Sequence, residues 1–446
     1  MGRREAQGLE RGRNVGQLHV SSSGCGTEWR EWLRHHCNAG VGRQDTSRSP
    51  IPPIFNLLRL LVPLSGARVA CHARRVTGAA LDLLCRLVRS ALDAEEGRAV
   101  TPVGPVALGA VPLHDLLDGV RRHRVPELLA ARSGELGLPD EVVRVLDAML
   151  AGARQRRLVH TLETVRAWQL LDAAGIDALV VKGIPLAVLT TGDADARGAG
   201  DVDLLVRPES AAAAHRLLTG AGWALHEQGR VEPGMWAWRH VQRWGHTLTY
   251  LGAGADVDLH WRLDAMPGAQ PATGDLLARR TTVEVGGVAI PTLARADAFR
   301  HLAGHREGWT WLRTLVDLRR LARDPAVFAE PLSAPALTSL AAARATVGLP
   351  GTVPGPVQDA IDRVPGAVLA RARAGHELPV ALFGGARAGR EVRNGMATVR
   401  GPRDVQQLAM TLVLPAHAAL PIRSATAWGG VPRAFALRTR RLVRGR

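Results

Sequence analysis

One lysine stands in this 446-residue chain, at position 182. Lysine and arginine together number 57, so every other long basic side chain is arginine. Tyrosine occurs once and phenylalanine five times, while asparagine and isoleucine are also scarce. Alanine, arginine and glycine fill the space left. GC-rich codon usage produces that pattern, so most of the arginine excess carries no functional message. The four cysteines (Cys25, Cys37, Cys71, Cys85) lie in the first fifth of the chain and form no C-x-x-C pair. That excludes a zinc ribbon and a C-x-x-C redox motif, and the cysteine-free remainder suits a reducing compartment. Long apolar runs are missing too. The stretches "IPPIFNLLRLLVPLSG" and "LAMTLVLPAHAALPI" are broken by Arg59 or by prolines, so no transmembrane segment is expected. Residues 1–20 are polar and charged, unlike a signal peptide, and the expected location is cytoplasmic.

Nucleotide motifs of the commonest kinds are also absent. No G-x-x-x-x-G-K-[ST] occurs, and "GAGADV" lacks the third glycine of a dinucleotide fingerprint. "DADARG" (193–198) starts like a calcium loop, but its fifth position is Arg197 and its twelfth is Leu204. Neither reading survives.

The net charge of +16 sits at the ends. Residues 1–100 carry 15 basic against 9 acidic side chains, 101–330 carry 26 against 27, and 331–446 carry 16 against 5. A basic end can bind nucleic acid or an anionic membrane surface. With few aromatics interleaved among the charges for stacking, it reads first as a solvated arginine-rich tail.

Along the chain, residues 1–50 show no sustained periodicity and read as disordered. From about 51 to 155 apolar residues recur at helical spacing, and "RQRRLVHTLETVRAWQLLDAAG" continues as an amphipathic helix closed by Gly175. Between 156 and 294 the period changes. "DALVVK" and "DVDLLVRP" read as strands, "GIPLAVLTTG" and "ESAAAAHRLLTGAG" as helices. "HTLTYLGAGADVDLHWRL" and "TTVEVGGVAIPTL" read as hairpins. From 295 to 446 helices return, ending in a basic segment. A small mixed sheet between two helical regions predicts an α+β fold.

The chemistry gathers around Lys182. In a strand, side chains alternate faces, so Asp201 and Asp203 of "DVDLLV" point the same way. Two carboxylates so close repel each other unless a cation neutralises them or one is protonated. A divalent ion such as Mg²⁺, held by carboxylates, water and substrate phosphates, resolves this. Asp256, Asp258 and His260 share a face of the later strand "ADVDLHW". If that strand pairs with the first, Asp258 joins the cluster, and three carboxylates can hold two ions about 3.5–4 Å apart for phosphoryl transfer. Lys182 ends a strand and precedes Gly183 at a helix start, where backbone N–H groups and the helix dipole favour phosphate. A lysine adds a compact point charge where an arginine fork is bulkier; the alternative is a chance surface lysine. His301 and His305 share a helix face, but the Glu of H-E-x-x-H is missing, so a packed or solvated face is the expectation. His260 reads as an orienting partner of Asp258, and Trp261 as core.

The set "KG" after a strand, then R-x-x-G-D-x-D-L-L-V-R-P, then "VDLHW" resembles the bacterial nucleotidyltransferases of the DNA polymerase β superfamily. The resemblance spans roughly residues 105–325, is weaker beyond, and leaves out residues 1–100. It implies Asp201, Asp203 and Asp258 as catalytic, metal-binding carboxylates, and Lys182, Gly183 and Arg197 as nucleotide-binding residues. It also implies Mg²⁺ as cofactor and a nucleoside triphosphate as substrate. The acceptor (small molecule, protein or RNA) stays open, as does the oligomeric state. The superfamily's turn usually has Gly followed by Gly or Ser; this chain has Lys-Gly. The expected activity is transfer of a nucleoside monophosphate to a hydroxyl with release of pyrophosphate. The alternatives are an inactive nucleotide-binding regulator, or a nucleic-acid-binding protein that uses its basic ends.

Overall fold

The computed structural model describes residues 76–104, 108–198, 200–226, 231–266, 270–305, 311–377, 401–414, 416–420, 422–424 and 426–443. The readings of residues 1–50 as disordered and of 51–75 as helical lie outside these.

The first described helix, α1 (Gly78–Glu95), starts where the Thr77 hydroxyl accepts a hydrogen bond from the Ala80 N–H at 3.3 Å. Its leucines are fully buried. Helix α2 (Leu113–His123) leads by two short helical turns to α3 (Asp140–Asp172), 33 residues long. α3 belongs to both halves of the interior. Val142 and Leu146 sit in one apolar cluster, Ala167 and Leu171 in the other. Gly175 follows with φ of 69°, and the N–H of Ile176 reaches back to the Leu171 carbonyl at 3.0 Å. This is the glycine-dependent helix stop that the sequence indicates.

β1 (Ala178–Val180) then opens a five-stranded sheet. Helix α4 (Gly183–Thr191) returns the chain to β2 (Asp201–Val206), and α5 (Ala211–Gly220) leads to the short β3 (Ala224–Leu225). Helix α6 (Trp236–Trp244) precedes the hairpin of β4 (Thr247–Leu251) and β5 (Asp256–His260). The spatial order is β1-β2-β5-β4-β3, with β2 and β5 parallel and the other neighbours antiparallel. Strand alternation divides the interior. Val202, Leu204 and Val206 enter the cluster containing α5 and α6, whereas Leu205 faces the cluster built from α1, α2 and the later helices. Asp201 and Asp203 lie on the Leu205 side by the same alternation.

A second sheet, β6 (Thr281–Val285) with β7 (Val288–Thr292), turns at Gly286 and Gly287, both with positive φ. The Thr292 hydroxyl donates to the Val180 carbonyl at 2.6 Å and ties this hairpin to β1. Helices α7 (Arg295–Gly304), α8 (Leu312–Leu321) and α9 (Ala334–Thr346) close the α1-side cluster. Farther on, α10 (Pro402–Val413) and α11 (Ala427–Val443) pack against α6. The architecture is α+β: a small mixed sheet between helical regions.

Candidate active site

The site forms where β1, β2 and β5 end beside α4 and α7. β1 runs out at Val181, whose N–H donates to the Asp203 carbonyl at 3.0 Å. Lys182 is extended (φ −140°, ψ −154°), and Gly183 opens α4 with φ of 64°. A β-carbon at that φ is strained, so glycine is needed to swing the chain from strand into helix. This geometry turns the Lys182 side chain back over β2. Its Nζ lies 3.6 Å from Asp203 Oδ1 and 3.5 Å from His305 Nε2.

The parallel pairing of β2 with β5 decides which acids meet. Asp201 stands opposite Asp256 and Asp203 opposite Asp258. Asp203 is buried, with 4% of its surface exposed, and His260 Nε2 is 3.1 Å from its Oδ1. Burial alone would raise the Asp203 carboxyl, but the Lys182 ammonium and His260 overcome it and hold it well below the usual carboxylate range. Asp258 shifts the other way: burial raises it, and the charge of Asp203 adds to that. The Thr249 hydroxyl, 2.5 Å away, donates to Asp258 Oδ1. Asp201 is exposed at the start of β2. The surrounding protein, followed by Asp203 and Asp258, still pushes it up to about 6. Three carboxylates with opposed shifts around one lysine make a strongly polarised site.

Asp203, Asp258 and His260 each bring one donor atom within 4.8 Å of the other two. That spacing fits one divalent ion, and the buried Nδ1 of His260 has no hydrogen-bond partner among the described residues. Asp201 is not in this trio; it lies one strand alternation away toward solvent. The two carboxylates suit magnesium or manganese, and the imidazole adds a nitrogen donor of the kind zinc takes.

The remaining expected residues are placed differently from one another. Lys182 and Gly183 lie at the site. Arg197 does not offer a free guanidinium: it is buried, and its Nε donates to Asp317 Oδ2 at 2.7 Å. Its Nη1 is 3.5 Å from the Gly183 carbonyl. Arg197 therefore braces the turn instead of reaching outward. Sequence reasoning missed Arg313, whose Nη1 donates to the Gly198 carbonyl at 2.6 Å, beside the loop into Asp201. Burial, and then the charges of Arg197 and Arg124, push Arg313 down to about 9. His301 and His305 were expected on a packed or solvated face. His301 is indeed buried, but it packs at the site, where burial and the nearby charge of Lys182 keep it neutral. His305 lies against Lys182. The i,i+4 histidine spacing was the available signal, and only the position of α7 gives it meaning.

The site is thus a strand carrying D-x-D, paired in parallel with a second acidic strand and preceded by a glycine-opened helix. The family described as uncharacterised nucleotidyltransferase matches residues 110–345, just over half of the chain, and the chain belongs to that family. The matched span contains every site residue named above. None of the curated proteins compared matches the chain. The protein is thus a nucleotidyltransferase-family enzyme. Among the described residues, no helix is long and apolar enough to cross a membrane.

Proposed function

We propose that the protein transfers a nucleoside monophosphate from a nucleoside triphosphate to a hydroxyl acceptor in a Mg²⁺-dependent reaction. The observation that carries this reading is the register of β2 on β5, which brings buried Asp203 beside Asp258 with Lys182 as the only lysine above them. Asp203, Asp258 and His260 would hold the divalent ion, and Asp201, on the same face of β2, would join them. When bound, that ion supplies Lewis-acid polarisation of the phosphates. The chain's own residues do the rest. Lys182 and the first N–H groups of α4 bind the outer phosphates, and Gly183 lets the backbone come close to them. Arg197, fixed by Asp317, keeps that turn in place. His260 and Thr249 fix the orientation of the carboxylates. The acceptor oxygen bonds to the α-phosphorus, the bond from that phosphorus to the bridging oxygen breaks, and pyrophosphate leaves toward Lys182. The proton of the acceptor hydroxyl passes to a carboxylate of the site or to water.

Incubating the purified protein with each α-labelled triphosphate and Mg²⁺, then following label on any acceptor and release of pyrophosphate, tests the reading. Release that disappears in Asp203→Asn supports it. Release retained in that variant sinks it. One observation favours a second reading, a nucleotide sensor without transfer: Lys182 stands where the superfamily has the first glycine of its turn, and its ammonium pairs with Asp203. Tight triphosphate binding with no pyrophosphate released for any acceptor tried would select that reading.

A further inference from the structure

The last tenth of the chain is basic in an unusual way. Residues 405–446 contain seven arginines (Arg423, Arg433, Arg438, Arg440, Arg441, Arg444 and Arg446) and no aspartate or glutamate. The same segment holds four of the seven exposed large hydrophobic residues of the described structure: Val405, Val413, Trp428 and Phe435. Charge of one sign and outward apolar side chains coincide there.

Helix α11 shows how this arises. Its inner edge is fixed by Ala434, which is fully buried, and by Gly430, where a β-carbon would land 2.1 Å from the Trp236 ring. That edge is pressed onto α6 and has no room for a side chain. Trp428 and Phe435 are seven residues apart, two helical turns, and so share one face. At 100° per residue that face lies roughly 130° round from Gly430 and Ala434. Trp428 is 94% exposed and Phe435 39%. Pro432, also exposed, lies between them and removes the N–H that the Trp428 carbonyl would otherwise receive. Arg433 is exposed on another side of the helix, about 150° round from the stripe, and adds to the positive charge of the segment. A helix that buries a small-residue edge against its own protein and turns tryptophan and phenylalanine outward, within an arginine-only sequence, has the chemistry of an interfacial anchor.

We propose that α11 is a docking surface for an anionic lipid membrane. Trp428 and Phe435 enter the headgroup boundary, and the positive charge of the segment draws the helix to acidic headgroups. RNA would satisfy the charge, but it has no use for the outward Val405, Val413 and Pro432. A lipid surface uses both features. This does not depend on the transfer reaction: the helix lies beyond residue 345, outside the family match.

The test uses the full chain with sedimented vesicles, either of phosphatidylcholine alone or of phosphatidylcholine mixed with phosphatidylglycerol. The protein should pellet with the mixed vesicles and stay in solution with the neutral ones, and pelleting should fall steeply as salt screens the charges. The double variant Trp428→Ser, Phe435→Ser should lose about tenfold or more in vesicle affinity. Its melting temperature and triphosphate binding should be unchanged, because both side chains face out. Arg433→Glu should weaken binding to the mixed vesicles while keeping the fold. Equal binding to both vesicle types, or no loss in the double variant, would overturn the proposal. So would tight binding of homopolymeric RNA with no vesicle binding, which would make the segment a nucleic-acid surface.

Discussion

Asp203 concentrates the chemistry at the scale of single residues. It is buried, ion-paired with Lys182 and within hydrogen-bond distance of His260. Asp203→Asn removes one charge of the proposed chelating set. Pyrophosphate release should vanish, and Mn²⁺ affinity, read by the spin signal of the bound ion, should drop by tenfold or more. Asp201→Asn should also abolish transfer, but metal-free thermal stability should hold or rise, since a repulsive carboxylate is gone. A clear fall in melting temperature for Asp201→Asn would show that this carboxylate holds the fold. Lys182 separates binding of phosphate from binding of base. Lys182→Ala should weaken triphosphate binding by about 1.5–3 kcal/mol, the scale of a charged hydrogen bond. Lys182→Arg should restore part of that. Calorimetry with the bare nucleoside should show little change, and equal weakening of both ligands would assign the lysine to the fold or the base.

Among the elements, the joint between α1 and α8 bears the clearest load. Arg319 and Arg320 are buried on α8, and the acids at the end of α1 meet them. Arg320 bonds Glu95 at 2.6 Å, Arg319 bonds Glu96 at 2.9 Å, and Arg323 bonds Glu95 at 3.0 Å. Acids at a helix C-terminus oppose its dipole, so without those arginines α1 would be worse for carrying them. Burial would raise the Glu95 carboxyl, but Arg320 and Arg323 bring it below its ordinary 4.5. A lowered folded pKa means that Glu95 stabilises the protein above the unfolded value, and that this is lost as pH falls through the folded one. Glu95→Gln leaves Arg320 buried with half its partnership gone, a loss of about 3 kcal/mol at pH 7 by urea unfolding. The gap between variant and parent should narrow below pH 4.5. A gap that stays constant with pH would mean packing, not charge, is responsible.

For the molecule as a whole, the interior is two apolar clusters joined by α3 and divided by the sheet. The family match begins at residue 110, yet α1 at 78–95 lies in the same buried cluster as α8 and α9. Truncation can therefore be graded. Removing residues 1–50, which show no core-forming periodicity, should leave melting temperature and triphosphate binding unchanged. Removal through residue 100 takes away α1 and should unfold the protein or lower its melting temperature sharply. A large loss from the shorter deletion would show that the N-terminal segment contributes to the core.

Periodicity was enough to read β1, β2, α5, both hairpins and the Gly175 helix stop, because each depends on contacts within a few residues. The same alternation showed that Asp201 and Asp203 share a face, and that Asp256, Asp258 and His260 share another. Whether those faces meet was not legible, since pairing β2 with β5 joins residues more than fifty positions apart and follows from the crossover through α5 and α6. Arg197 makes the same point in reverse. The resemblance implied a nucleotide-binding role for it, and nothing near it in sequence showed that Asp317, 120 positions later on α8, pairs with its guanidinium. His301 and His305 had a visible spacing and no visible neighbour until α7 packed beside Lys182. The sequence by itself determined the local elements, the composition of the acidic strands and the one lysine with the glycine that turns it. Only the tertiary structure decided which charges meet, because a carboxylate's partner is set by the folded path of the chain and not by its neighbours along it.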